Sequence, residues 1–265
     1  MSPLQLGKPT KVPQTYSPQV LVPISRQQQR EEIVFDLDSY SCIGVDEWEC
    51  FELTWLNEIG IPQVAKALIS VPADSPQIIE SKSMKLYLGS FAFSKIVDRE
   101  EIRRTIQSDL KGVLNATPNV LIIDRNSGTH VQSEAAINLL EVIDSSPTKL
   151  DWEKVIALGP DPSLLQLENG EITKTTFLCE SFYCLCPVTG QPDQASIQVT
   201  YKGTALIPET LLAYFVSYRS TGIFHETVVE RIFMDLWGLG PSALEIRAYF
   251  HQRGGIAINP VRRSK

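Results

Sequence analysis

One order of elements is written twice along this 265-residue chain, and it constrains the fold more than any single motif. In the first half, Phe51, Leu53 and Trp55 alternate with Glu52 and Thr54, the two-residue period of a strand with one buried face. Residues 64–71 read as a second strand, and Pro72-Ala-Asp-Ser-Pro76 breaks the chain. A helix is expected over residues 81–91, with Met84, Leu88 and Phe91 on one face. The next helix has Asp98 as N-cap, Glu101 at the capping-box position and Val97 with Ile102 as a hydrophobic staple. It turns Ile102, Ile106 and Leu110 inward, and residues 119–124 are again a strand.

The second half repeats this order. Residues 172–184 are dense in β-branched and aromatic types, and Ile197, Val199 and Tyr201 alternate with polar neighbours. A helix from about residue 208 carries Leu211, Phe215 and Tyr218 on one face. A second, from about residue 226, buries Val229, Phe233 and Leu236 and stops at Gly238-Leu-Gly-Pro241. Leu244, Ile246, Ala248 and Phe250 alternate as a closing strand. The class is therefore α+β, with each half reading strand–strand–helix–helix–strand. Proline and glutamine mark residues 1–30 as an arm, ordered only if it packs on a neighbour. A first unit follows over 31–143, opening with a strand start at 33–37. Turn chemistry marks a linker over 144–171, and a second unit fills 172–265.

Between the two expected strands of the second half lies Cys186-Pro-Val-Thr-Gly-Gln-Pro-Asp193, which reads as a hairpin loop. Such a loop can hold a thiol and a carboxylic acid toward one small space. A thiolate is a strong nucleophile, and an adjacent acid can protonate what the sulfur attacks. Taken singly, a strand-end Cys is commonly a small apolar core residue and a loop Asp a turn former.

Charge and cysteine usage narrow the classes. A net charge of −7 and a pI near 5.1 do not suit a nucleic-acid surface. No apolar run approaches the ~20 residues of a membrane span, and the N-terminus lacks the pattern of a signal peptide. Five cysteines, an odd number, fit thiols in a reducing compartment, so a cytoplasmic protein is expected. Cys184 and Cys186 have no second pair at zinc-ribbon spacing, and the three histidines are scattered, so no metal site is expected. Gly238-Leu-Gly240 lacks the third glycine of a dinucleotide fingerprint and precedes its strand.

Four motifs in order carry a resemblance over about residues 31–262. They are Glu80-Ser-Lys-Ser-Met-Lys-Leu-Tyr87, the Cys186–Asp193 loop, Phe224-His225-Glu226 and Arg253-Gly-Gly-Ile-Ala-Ile-Asn-Pro260. Together they resemble the 7-cyano-7-deazaguanine reductases, the NADPH-dependent nitrile reductases of queuosine biosynthesis, in their two-unit single-chain form. One position departs, Gln194, where the family usually carries an aromatic residue. The resemblance implies tandem tunnelling-fold units, antiparallel sheets with helices on one face and a barrel completed by oligomerisation, at least as a homodimer. It implies Cys186 as the nucleophile that forms a thioimide and Asp193 as the acid. It assigns Ile79, Glu80, Ser81, His225 and Glu226 to the substrate base, and Ser81, Lys82, Arg253 and Gly254 to NADPH. Nucleic acid and membrane are not among the implied partners.

The residues themselves bear some of this. A carboxylate such as Glu226 accepts two hydrogen bonds side by side, as a guanine-like edge requires, although a helix start also favours an acid for its dipole alone. His225 can exchange protons near neutral pH, or merely cap a helix. Ser81 and Lys82 at a helix N-terminus suit phosphate, whereas Lys85 reads as solvated surface. Two other readings stay open: a metal-dependent pterin or purine enzyme of the same fold, related to GTP cyclohydrolase, and a non-catalytic purine-binding module.

Overall fold

The computed structural model describes residues 13–31, 42–127, 136–145 and 151–265. The strand start expected at residues 33–37 lies outside them. The chain divides into two units. Of the described residues, the first unit holds 13–31, 45–127 and 252–258, and the second holds 42–44, 136–145, 151–251 and 259–265.

The first unit is built on the hairpin of β2 (Cys42–Leu56) and β3 (Pro62–Pro72), with β5 (Asn119–Ile123) antiparallel on the far side of β3. Two helices, α2 (Ser81–Gly89) and α3 (Arg99–Leu114), contribute to its core. Met84, Tyr87 and Leu88 of α2 and Ile102, Ile106, Leu110 and Leu114 of α3 cluster with Trp48, Leu53, Trp55, Ala67 and Ile69 of the hairpin. Each such aliphatic side chain contributes about 1.5–3 kcal/mol through burial. The α3 cap forms as Asp98 accepts from Glu101 N–H at 2.8 Å. The staple does not form, because Val97 is 64% exposed. Glu101 reaches one residue past the cap instead and accepts from Val97 N–H at 2.9 Å.

The described part of the N-terminal arm packs on its own unit. Strand β1 (Pro23–Ser25) pairs antiparallel with β4 (Gln77–Ile79) and leads into α1 (Arg26–Glu31). Arg26 is buried and paired with buried Asp46, and the Tyr16 hydroxyl donates to Asp109 at 2.7 Å.

The second unit repeats the hairpin with β7 (Leu167–Leu185) and β8 (Pro192–Leu206), followed by α6 (Pro208–Val216), α7 (His225–Trp237), β9 (Ala243–Phe250) and β10 (Ile256–Ser264). The sheet order is β10–β9–β8–β7–β6, antiparallel throughout except for the short parallel strand β6 (Ile137–Asn138). Leu211, Leu212 and Phe215 of α6 and Val228, Ile232, Phe233 and Leu236 of α7 share one core with the inward residues of β7, β8 and β9. Two short helices follow: α4 (Leu139–Ser145), which runs into the expected linker, and α5 (Trp152–Leu158), which lies within it. The cap of α5 is visible in hindsight: Asp151 accepts from Lys154 N–H, and Gly159 ends the helix.

Both hairpins carry the same irregularity in their first strand. The register of β2 shifts between Cys50 and Leu53, and that of β7 between Cys179 and Phe182. A bulge adds one residue and moves everything beyond it to the other face. Simple alternation would bury Phe51 with Leu53 and Trp55, yet the buried set is Trp48, Cys50, Leu53 and Trp55. Phe51 instead sits under the Lys66 ammonium, 4.9 Å from its ring centre.

Candidate active site

The bulge in β7 decides which way Cys186 points. Phe177 and Cys179 face the core before it; beyond it the buried residues are Phe182, Cys184 and Cys186. Without the extra residue, strict alternation would have turned Ser181, Tyr183 and Leu185 inward and both later cysteines outward. Cys184 lies opposite Asp193 in the β7–β8 ladder, and residues directly opposite share a face. Cys186 is two residues further on, so it shares that face with Asp193. Both are 6% exposed.

The loop between them is tightly closed. Cys186 N–H donates to Gln191 O at 2.8 Å and Gly190 N–H to Cys186 O at 2.9 Å. Gly190 adopts φ +66°, a left-handed conformation that glycine takes without strain. Residues 221–223 brace the end of β7, with Leu185 N–H donating to Thr221 O (2.8 Å) and Ile223 N–H to Leu185 O (2.9 Å). Gly222 sits so near the loop that a Cβ there would lie 3.2 Å from Pro187 Cα.

This brace delivers the chain into α7, which begins at His225, one residue earlier than expected. The imidazole Nε2 lies 3.4 Å from Asp193 Oδ2, within ion-pair reach. Its ring is stacked flat on Phe250, with centroids 3.7 Å apart and planes at 4°. Glu226 is 3% exposed in the first turn of α7, where the helix dipole favours its anion. The second unit thus holds Cys186, Asp193, His225 and Glu226: a thiol and an acid on one buried face, an imidazole beside the acid, and a buried carboxylate next in the helix. Phe250 and the brace at 221–223 were not singled out from sequence; a strand-end aromatic reads as ordinary core.

The other expected site residues belong to the first unit. Ile79 is buried at the end of β4, opposite Pro23. Glu80 is 2% exposed and caps α2, Oε1 accepting from Lys82 N–H (3.0 Å) and Oε2 from Ser83 N–H (2.7 Å). Each oxygen keeps a second lone pair for another donor. Ser81 and Lys82 form the first turn of α2. Arg253 and Ile256 close a two-residue turn, with Arg253 N–H to Ile256 O at 2.8 Å, around Gly254 (φ +62°) and Gly255 (φ +79°). Positive φ at both central positions calls for glycine.

A small cleft is lined by Cys50, Glu52, Lys85, Gly89, Gly254 and Gly255. Lys85 is half-exposed and ion-paired with Glu52 at 3.2 Å, as its reading as surface suggested. Its Nζ lies 3.6 Å from where a Cβ on Gly254 would stand. Burial, with Glu49 adding to it, pushes the Cys50 thiol up to about 12, so this cysteine stays protonated. The turn sets bare backbone beside the Lys85 cation, an arrangement that lets an anionic group approach closely.

The five cysteines are all in the thiol form. Among the described residues no group of three His, Cys, Asp or Glu is placed to hold a metal ion, and no helix is long and apolar enough to cross a membrane.

Known proteins similar to this chain in sequence are numerous. The family described as nitrile reductase, 7-cyano-7-deazaguanine-reductase N-term, matches residues 12–122, and that described as QueF-like protein matches residues 192–265. An NADPH-dependent 7-cyano-7-deazaguanine reductase of Acinetobacter baylyi is 40% identical over 97% of this chain and 92% of its own length. Its namesake in Burkholderia ambifaria is 39% identical with the same coverage. That of Saccharophagus degradans is 36% identical over 99% of this chain and 94% of its own length. Similarity of this extent, carried by both units, makes the chain a member of the NADPH-dependent 7-cyano-7-deazaguanine reductase family.

Proposed function

We propose that this chain reduces the nitrile of 7-cyano-7-deazaguanine to the aminomethyl group of 7-aminomethyl-7-deazaguanine, a step toward queuosine in tRNA. The observation that carries the reading is the shared buried face of Cys186 and Asp193, set by the β7 bulge and the ladder register. Cys186 Sγ bonds to the nitrile carbon as one C–N π bond breaks, and Asp193 delivers a proton to the nitrogen. The product is a thioimide, and nothing leaves. NADPH, when bound, supplies two hydrides, one to the thioimide carbon and one to the imine that follows. Between them the C–S bond breaks and the sulfur departs with its electron pair, to be reprotonated. Two hydrides and two protons in all convert C≡N to CH2NH2. The buried position of the thiol and acid excludes water, which would hydrolyse the imine.

Glu226 accepts from the N–H and amino edge of the base, and the resemblance assigns Ile79, Glu80 and Ser81 to the same ligand. His225 returns protons to Asp193. Ser81, Lys82, Arg253 and Gly254 hold the cofactor phosphates. The repeated element order and the repeated bulge support reading the two units as tandem tunnelling-fold units, whose sheet edges join those of a second copy in a homodimeric barrel. The odd number of cysteines in the sequence supports a reducing, cytoplasmic setting.

The test is intact-protein mass spectrometry after mixing with the nitrile in the absence of NADPH. The wild type should gain the whole mass of the substrate, and Cys186→Ala should gain none. With NADPH present, its absorbance should fall only when the nitrile is added; no consumption sinks the reading.

A further inference from the structure

Strand β9 ends at Phe250, directly across the ladder from Ala195 in β8. Ala195 stands two residues after Asp193, so Phe250 shares the inner face with that acid. The Phe250 ring is held on several sides. It is 4% exposed and meets Phe182 edge to face at 6.4 Å and 88°. The Phe250 backbone N–H donates to Oδ1 of Asn259, a buried residue of β10, at 3.0 Å. Against this fixed surface the His225 imidazole lies flat, 3.7 Å away, while Nε2 stands 3.4 Å from Asp193 Oδ2.

A ring pressed flat on another cannot turn about its own bond to Cβ without displacing it. In a sheet-borne aromatic packed on further aromatics, that displacement is resisted by close packing. Asp193 of β8 lies within ion-pair reach of the imidazole, and Glu226 follows His225 in its own helix. In this ring plane the edge bearing Nε2 faces Asp193.

We propose that Phe250 is a positioning residue for proton return to Asp193: its ring fixes the plane of His225 so that Nε2 faces the acid through both reduction steps. The proposal rests on the reading above, in which Asp193 is the acid and His225 restores its proton. Phe250 touches no reacting atom and acts only through the imidazole.

The experiment compares wild type, Phe250→Leu and Phe250→Tyr by steady-state kinetics, by nitrile adduct mass without NADPH, and by 15N NMR of the histidine rings. Phe250→Leu should lose about tenfold to a hundredfold in kcat, as small misplacements of catalytic groups do, with KM for NADPH within about twofold and the Cys186 adduct still formed. Phe250→Tyr, which keeps the flat ring, should retain kcat within about threefold. The wild-type His225 resonances should report one ring orientation and respond to Asp193→Asn; in Phe250→Leu they should broaden or shift. Unchanged kcat and unchanged His225 resonances in Phe250→Leu overturn the proposal. So do wild-type His225 signals that already average between orientations, a result that needs no variant. A wild type that forms no adduct refutes the Cys186 reading instead, and the NMR comparison still decides on Phe250.

Discussion

Asp193 stands directly across the β7–β8 ladder from Cys184, not from Cys186. The two cysteines share a face but differ in surroundings: Cys184 is fully buried in the core cluster, whereas Cys186 sits at the mouth of the loop. Their substitutions should therefore separate stability from chemistry. Cys184→Ala should lower unfolding free energy by about 1 kcal/mol, the usual cost of a small core truncation, and should still form the nitrile adduct. Cys186→Ala should change the denaturant midpoint little and abolish the adduct. An adduct that survives Cys186→Ala, or vanishes in Cys184→Ala, would mean the wrong sulfur has been assigned.

The helix that presents His225 and Glu226 is anchored by a buried ion pair. Glu230, one turn on from Glu226, accepts from Arg262 Nη2 at 2.9 Å and Nε at 3.2 Å, and both side chains are almost fully buried. Removing one partner takes a counter-ion from the other buried charge. Glu230→Ala should cost about 3–5 kcal/mol, read as a shift in the urea midpoint. Replacing both, Glu230→Leu with Arg262→Met, should recover most of that loss. A single variant as stable as wild type would show that the pair contributes little to holding α7.

Much of this was legible in the sequence. Alternation located β2, β8 and β9, and the Asp98 cap placed the start of α3, because these features depend on local backbone chemistry; strand β10 was not anticipated. The bulges were not legible. Nothing in Cys179-Glu-Ser-Phe182 distinguishes two residues facing one from ordinary alternation; the choice is made when Phe182 enters the aromatic group of Phe215, Tyr218 and Phe250. The direction of Cys186 follows from that tertiary choice. The His225–Phe250 stack was hidden for the same reason, since the two residues are distant in sequence and meet only through sheet register. Glu80 as a cap on its own helix was hidden by habit, because Glu is an uncommon N-cap.

Asp235 gives a pH signature. Burial raises its carboxyl above the ordinary value of 3.8, and the Tyr214 hydroxyl (2.6 Å) and Arg231 (3.7 Å) offset this only in part. The native state then holds the proton at pH values where the unfolded chain has released it. By linkage, Asp235 favours folding least once pH has risen through its raised value, and its contribution improves as pH falls back toward 3.8. The wild type should accordingly lose stability relative to Asp235→Asn as pH rises through the window just above 3.8. Urea midpoints of both proteins across that range check this; parallel curves would show that Asp235 titrates as it does in the unfolded chain.

The glycine turn of the first unit offers a test with its own control. Gly255 and Gly60 both adopt left-handed backbone, φ +79° and +87°. A Cβ on Gly60 meets nothing within 4 Å, while one on Gly255 would fall 2.4 Å from Glu52 Cδ. Alanine at either position should cost about 1–3 kcal/mol of backbone strain. Only Gly255→Ala should also push Glu52 away from Lys85 and fill the bare surface proposed for the cofactor phosphates. Gly255→Ala should therefore raise KM for NADPH by about tenfold and leave the NADPH-free nitrile adduct intact, whereas Gly60→Ala should change neither. Titration of each variant with NADPH, followed by cofactor fluorescence, reads the difference. Equal weakening in both would point to loss of stability alone, and no weakening in Gly255→Ala would remove the turn from the cofactor site.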